Sequence, residues 1–218
     1  MRFFLPSLAL LTSACAVPVT VPTASVPLAV QKAAENVWKL SCVWRIENIA
    51  LGQPPKHKLT SATCFPVQII GDEIVLMTAA HAVQPDSPAE TLTSISIRSG
   101  GVSLMNGRVL QIHDTVDSAL IAFEIGDRIV PLHEIDPRVP AFGERVYVAG
   151  YPGMAGRLFL GQGIITDPDV CSAPVYPGSS GGPVFDADGQ VIAMVIRIGM
   201  GMNEPVQYTC FHLLMREL

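Results

Sequence analysis

The stretch Tyr176–Val195 reads YPGSSGGPVFDADGQVIAMV. Two adjacent serines lie among glycines and prolines, and apolar segments on both sides of Asp186-Ala187-Asp188-Gly189 make a hairpin, because Asp-Gly suits a tight turn between apolar runs. The pattern Gly-x-Ser-Gly-Gly-Pro at Gly178–Pro183 is too specific for chance at ordinary Gly, Ser and Pro usage. Glycines let the backbone approach a ligand closely and turn where other residues cannot. Their N–H groups can then converge on one point, as an oxyanion requires.

Working outward, the chain is built of short Val/Ile-rich runs between turn residues. Among its 218 residues Gly and Pro number 18 each, a profile of many short strands rather than helices. Strands are expected at 37–46, 62–70, 73–78, 93–98, 102–112, 119–125, 145–149, 157–165, 183–186, 191–198 and 207–215, with a short helix at Leu28–Glu35. The proline-bearing segment Asp127–Phe142 reads as a connector between two halves. The net charge of −5 is mild. No basic run is interleaved with aromatics, which sets nucleic acid aside.

The N-terminus MRFFLPSLALLTSACAVPVT joins Arg2 to an apolar stretch and then small residues. This is the pattern of an export signal, too short to span a bilayer. Two readings of residues 1–16 stand: cleavage at Ala14-Cys15-Ala16, or a lipobox in which Cys15 is lipidated and tethers the protein to a membrane. Residues 17–27 read as an extended tether. An extracytoplasmic compartment makes disulfides the default for Cys42, Cys64, Cys171 and Cys210, with three pairings open. None of the spacings suits zinc, and no cofactor or metal is expected.

A serine hydroxyl needs a base to take its proton. In Met77-Thr78-Ala79-Ala80-His81-Ala82-Val83 a histidine stands where an apolar strand ends. The other histidines, His57, His113, His133 and His212, read as loop or surface residues. The base in turn needs a carboxylate to orient it. Asp117 precedes the apolar run 119–125, and an acid there needs a partner; Asp114 is its competitor.

Thr78–His81, Asp117–Leu120 and Gly178–Pro183 resemble the three signature segments of trypsin-like serine proteases, in that family's order of His, Asp, Ser. The flanks Val148–Gly153 and Ser172–Pro177 are most similar to bacterial high-temperature-requirement (Deg-type) proteases. The resemblance covers about residues 28–218. It implies an all-β fold of two six-stranded antiparallel barrels, one at about 37–126 and one at about 143–218, with the site in the cleft between them. It further implies a serine endopeptidase in which Ser180 is the nucleophile, His81 the base and Asp117, rather than Asp114, the orienting acid. The backbone N–H groups of Gly178 and Ser180 would form the oxyanion hole. Pro174, Val175, Ile196 and Ile198 would wall an apolar pocket, so cleavage is expected after small or apolar residues. On this fold the cysteines are expected to pair 42–64 and 171–210.

The expected partner is a protein or peptide substrate and the expected state a monomer. Contact with a membrane comes only through an anchor at Cys15. The alternative is a trypsin-fold binding or structural lipoprotein with little hydrolysis. Three departures from the pattern stand out. Ser179 occupies the place of an Asp or Asn, so no zymogen ion pair is expected. Ala62-Thr63-Cys64-Phe65 replaces Gly-Ser-Gly-Phe. The sequence runs only a short way past the last expected strand, so no PDZ domain is expected.

Overall fold

A computed structural model describes residues 25–47, 54–153, 156–167, 169–200 and 207–212, with backbone alone at 197–200 and 207–212. The export signal, Cys15, most of the tether and the side chains of Ile198 and Cys210 therefore lie outside the described residues.

The first half is a curled antiparallel sheet of seven strands: β1 (Trp38–Ile46), β2 (Lys56–Ile70), β3 (Glu73–Ala79), β4 (Glu90–Ser99), β5 (Val102–Leu104), β6 (Arg108–His113) and β7 (Ser118–Glu124). Their order is β5-β4-β1-β2-β3-β7-β6, and a bond from Gly107 N–H to the Ile95 carbonyl (3.1 Å) draws the two ends together. The alternation along β1 sends Trp38, Leu40, Cys42 and Trp44 inward. There they meet Ile74, Leu76, Ile95, Ile97, Ile121 and Phe123, which makes the sheet's concave face one core.

The second half is a closed barrel of β8 (Arg145–Gly150), β9 (Phe159–Asp167), β10 (Val170–Cys171), β11 (Pro183–Phe185), β12 (Val191–Met200) and β13 (Gln207–His212). The expected two-barrel β architecture is thus present. The first half has seven strands because the run expected at 102–112 is broken around Asn106, whose φ of 60° ends one strand before the next begins. Strand β2 starts at Lys56, earlier than its apolar run, because its polar half completes the ladder to β1 down to Ile46. The two-residue β10 has no hydrophobic period to betray it.

A second core fills the seam between the halves. Phe65 and Met77 come from the first half, Tyr147, Phe185, Val191 and Met194 from the second. Helix α1 (Leu28–Ala34) adds Val30 and Ala34, one turn apart on its buried face. The connector is also tied down. Asp136 N–H donates to the Val191 carbonyl (2.9 Å) and Val191 N–H to the Glu134 carbonyl (2.8 Å). Arg138 spans Asp136, Glu144 and Asp186, and its guanidinium holds the Glu144 carboxyl below the usual range.

Two expectations need correction. The 42–64 disulfide is not formed: Cys42 faces Thr60 across the β1–β2 ladder, whereas Cys64 faces Trp38. Four strand residues, roughly 13 Å, separate those positions, too far for a bridge. Both are buried thiols acting as core hydrophobes. Burial pushes the Cys42 thiol up to about 12. Burial, then its neighbour Cys42, raises that of Cys64 well above the ordinary value. Cys171 faces Thr209 on β13, next to the Val170–Cys210 pair.

The second correction is His133, which is buried rather than a surface residue. Its ring lies between Phe65 and Phe185, with centroids 5.6 and 5.5 Å away. Burial there pulls its pKa down to about 4, against a smaller opposing contribution from the Asn36 carbonyl. The unfolded chain takes up that proton near pH 6.5 and the folded one only near 4, so stability falls as pH drops through this window. Urea midpoints at pH 7 and pH 4.5 should show His133→Phe losing less stability than wild type. The full difference is about 3 kcal/mol across the window.

Candidate active site

Strand β3 ends at Ala79, and a single 3₁₀ turn, Ala80–Ala82, carries His81 out of the sheet. Ala80 and Ala82 stay buried while His81 is exposed. The small neighbours let the chain turn tightly against the first core. Facing it, a 3₁₀ turn at Asp114–Val116 delivers Asp117 in the left-handed region, φ 48° and ψ 45°. That region is rare for residues other than glycine, and Asp is among those that tolerate it.

The backbone at Asp117 is held in place because its carbonyl accepts from Ala80 N–H (3.0 Å). Its carboxylate makes two bonds to one residue. Oδ1 accepts the backbone N–H of His81 (3.0 Å) and Oδ2 accepts from the imidazole Nδ1 (2.8 Å). A carboxylate at Nδ1 calls for the tautomer with its proton there, which leaves Nε2 as the acceptor.

The glycine turn comes from the second barrel. Gly178 (φ 99°) and Gly181 (φ 81°) both need positive φ. A side chain at Gly178 would strike the Tyr151 carbonyl; one at Gly181 would strike the Thr63 carbonyl and the Thr78 hydroxyl. Here the turn is pressed against the first half. The two serines separate cleanly. Ser179 is enclosed, 1% exposed, and packs against Gly150. Ser180 lines a cavity of about 560 Å³ together with His81, Asp117, Gly178 and Ile196. Its hydroxyl makes no hydrogen bond to the imidazole among the described residues. Neither Gly178 N–H nor Ser180 N–H donates to any group among the described residues.

One residue that the sequence reading passed over organises the turn. Thr63, fully buried on β2, donates its hydroxyl to the Gly178 carbonyl (2.8 Å) and accepts from Tyr151 N–H (2.9 Å). Its own N–H reaches the Ser180 carbonyl (2.8 Å), and its carbonyl accepts from the Thr78 hydroxyl (2.8 Å). The signal was present in the sequence: a polar residue in the apolar run 62–70 must find partners if buried.

Of the expected pocket residues, Ile196 lines the cavity. Val175 does not, being fully enclosed in the core of the second barrel, and Pro174 lies against Gly161 on β9.

A family model of the trypsin-like peptidase domain matches residues 62–194, which takes in all three segments. The chain belongs to the trypsin-like peptidase family. An uncharacterized protein, y4bJ of Sinorhizobium fredii (strain NBRC 101917 / NGR234), is 28% identical over 159 residues, 66% of this chain. The chain spans about a quarter of that relative's length.

Among solved structures, the S227A variant of the HtrA-type protease AlgW with a decapeptide superposes with a TM-score of 0.65 at 17% identity. The match covers 84% of this chain and 62% of that one. The Rv3671c protease of M. tuberculosis in its active form gives 0.62 at 22% identity, covering 84% and 78%. At these identities the likeness is one of fold.

Thr63→Val preserves the shape of this peptidase but leaves the Gly178 carbonyl and Tyr151 N–H without the hydroxyl between them. It should cost about 2 kcal/mol in a urea titration, and Thr63→Ser should recover most of the loss.

Proposed function

We propose that this peptidase-family chain is a serine endopeptidase working through Ser180, His81 and Asp117. The observation that carries the reading is the double contact of Asp117 with His81, made at the mouth of the same cavity that Ser180 lines. In the proposed reaction Nε2 of His81 takes the Ser180 proton as Oγ attacks the peptide carbonyl. The imidazolium, steadied by Asp117, then returns the proton to the leaving amine. Water repeats the sequence on the acyl-enzyme.

The developing oxyanion would accept from the N–H groups of Gly178 and Ser180, whose lack of other partners supports this role. The Ser180 hydroxyl has to rotate or the substrate has to draw it toward Nε2, since catalytic hydrogen bonds commonly tighten only in the complex. Ile196 supports an apolar preference on the acyl side. The substrate class is peptides or accessible protein segments, cleaved after small or apolar residues. The N-terminal sequence supports action outside the cytoplasm, with the enzyme free or held at a membrane by Cys15.

A fluorophosphonate probe should label wild type and spare Ser180→Ala, whose turnover on peptide libraries should fall by up to about 10⁶-fold. Asp117→Asn should lower turnover by about 10⁴-fold while leaving the fold's circular dichroism unchanged. Labelling of Ser180→Ala at the wild-type rate would refute the assignment. A library profile dominated by Lys or Arg before the cut would refute the apolar preference alone.

A further inference from the structure

Outside the catalytic cavity, the outward face of β1, β4 and β5 carries an arrangement that the peptidase reaction does not use. Lys39 and Arg98 are direct cross-strand partners, and like charges in that relation destabilise a sheet. Neither forms an ion pair with any carboxylate among the described residues, although the chain as a whole carries an excess of acid. Around them are hydroxyls. Ser103 is paired with Arg98 on its far side, and Ser41 and Ser96 face each other two residues along the same ladder.

These five residues line a polar concavity of about 390 Å³ that Tyr151 of the second barrel closes at the seam. The Ser41 and Ser96 hydroxyls make no hydrogen bond among the described residues. The Ser103 hydroxyl already donates to the Ile97 carbonyl at 3.4 Å, which leaves two unopposed cations and two unspent hydroxyl donors, those of Ser41 and Ser96, in one hollow.

We infer that this hollow binds a phosphate-type oxyanion between Lys39 and Arg98, with the hydroxyls of Ser41, Ser96 and Ser103 around it. A tetrahedral phosphate group suits the arrangement better than a carboxylate does. It presents oxygens to cations on two adjacent strands at once, and it has further oxygens for the serines. The guanidinium can take two of them. Occupancy would also turn the Lys39–Arg98 repulsion into a bridge. The same chemistry is offered by free phosphate and by the headgroup of an anionic lipid.

The test is thermal unfolding of the full chain in rising inorganic phosphate, with ionic strength held constant by sodium chloride. Wild type should gain Tm saturably with phosphate. Without phosphate, Arg98→Gln should melt higher than wild type, because the like-charge pair is gone. K39Q/R98Q should weaken phosphate binding by about tenfold or more, while Lys39→Arg retains it. Flotation with vesicles of phosphatidylglycerol, against phosphatidylcholine, separates the sources. Retention on the anionic vesicles that K39Q/R98Q loses, without a response to free phosphate, assigns the headgroup. Equal responses of wild type and K39Q/R98Q to both probes, or no response of wild type to either, would overturn the site.

Discussion

The geometry of this molecule rests on one buried threonine. Thr63 uses every polar group it has: amide, carbonyl and both capacities of its hydroxyl. Three of those bonds cross from the first half to the nucleophile turn and the strand beside it in the second. Apolar packing at the seam favours docking of the halves, with each large side chain fully buried there contributing about 1.5–3 kcal/mol, but it is indifferent to small slides. Hydrogen bonds are not. With Ser180 held by its own carbonyl and Gly178 by its neighbour's hydroxyl, the turn can take only one position relative to the strand that leads to His81.

That arrangement puts the candidate site at the seam. His81 and Asp117 are mutually fixed within the first half, since β3 and β7 pair from Glu73↔Glu124 to Ala79↔Ser118 and so end side by side. Ser180 belongs to the second half, on a turn stretched between β10 and β11. Neither half contains the whole constellation. The relation between His81 and Ser180 is therefore a property of docking, maintained by the Phe65–His133–Phe185 cluster, by the pinned connector and by Thr63. A disturbance of the seam reaches the site without touching any of its three residues.

Much of this was legible in the residues. Alternation along 38–46 and the apolar run at 73–78 specify strands because their side chains have one dry face to fill. Gly178 and Gly181 betray the turn because no other residue tolerates its conformation. The order of His81, Asp117 and Ser180 points to the site, since nucleophile, base and orienter each stand at the end of an apolar segment. Less legible was anything decided by a partner remote in the chain. His133 looks like a loop residue until Phe65 and Phe185 close over it. Cys42 and Cys64 look like a bridge on paired strands until the register sets them four positions apart. Val175 looks like a pocket wall, yet the closure of the second barrel turns it inward.

The same seam relates the two hollows of the first half. On β2, Thr63 is the cross-strand partner of Lys39, which in turn faces Arg98. Tyr151, whose N–H Thr63 accepts, closes the hollow that contains those cations. Thr63 lines neither hollow itself, but its chain neighbour Ala62 lines the first and its partners Lys39 and Tyr151 line the second. A ligand between Lys39 and Arg98 would bridge β1 and β4 one strand away from Thr63. Because Thr63 has no unused polar group, it cannot shift to follow one neighbour without stretching a bond to another.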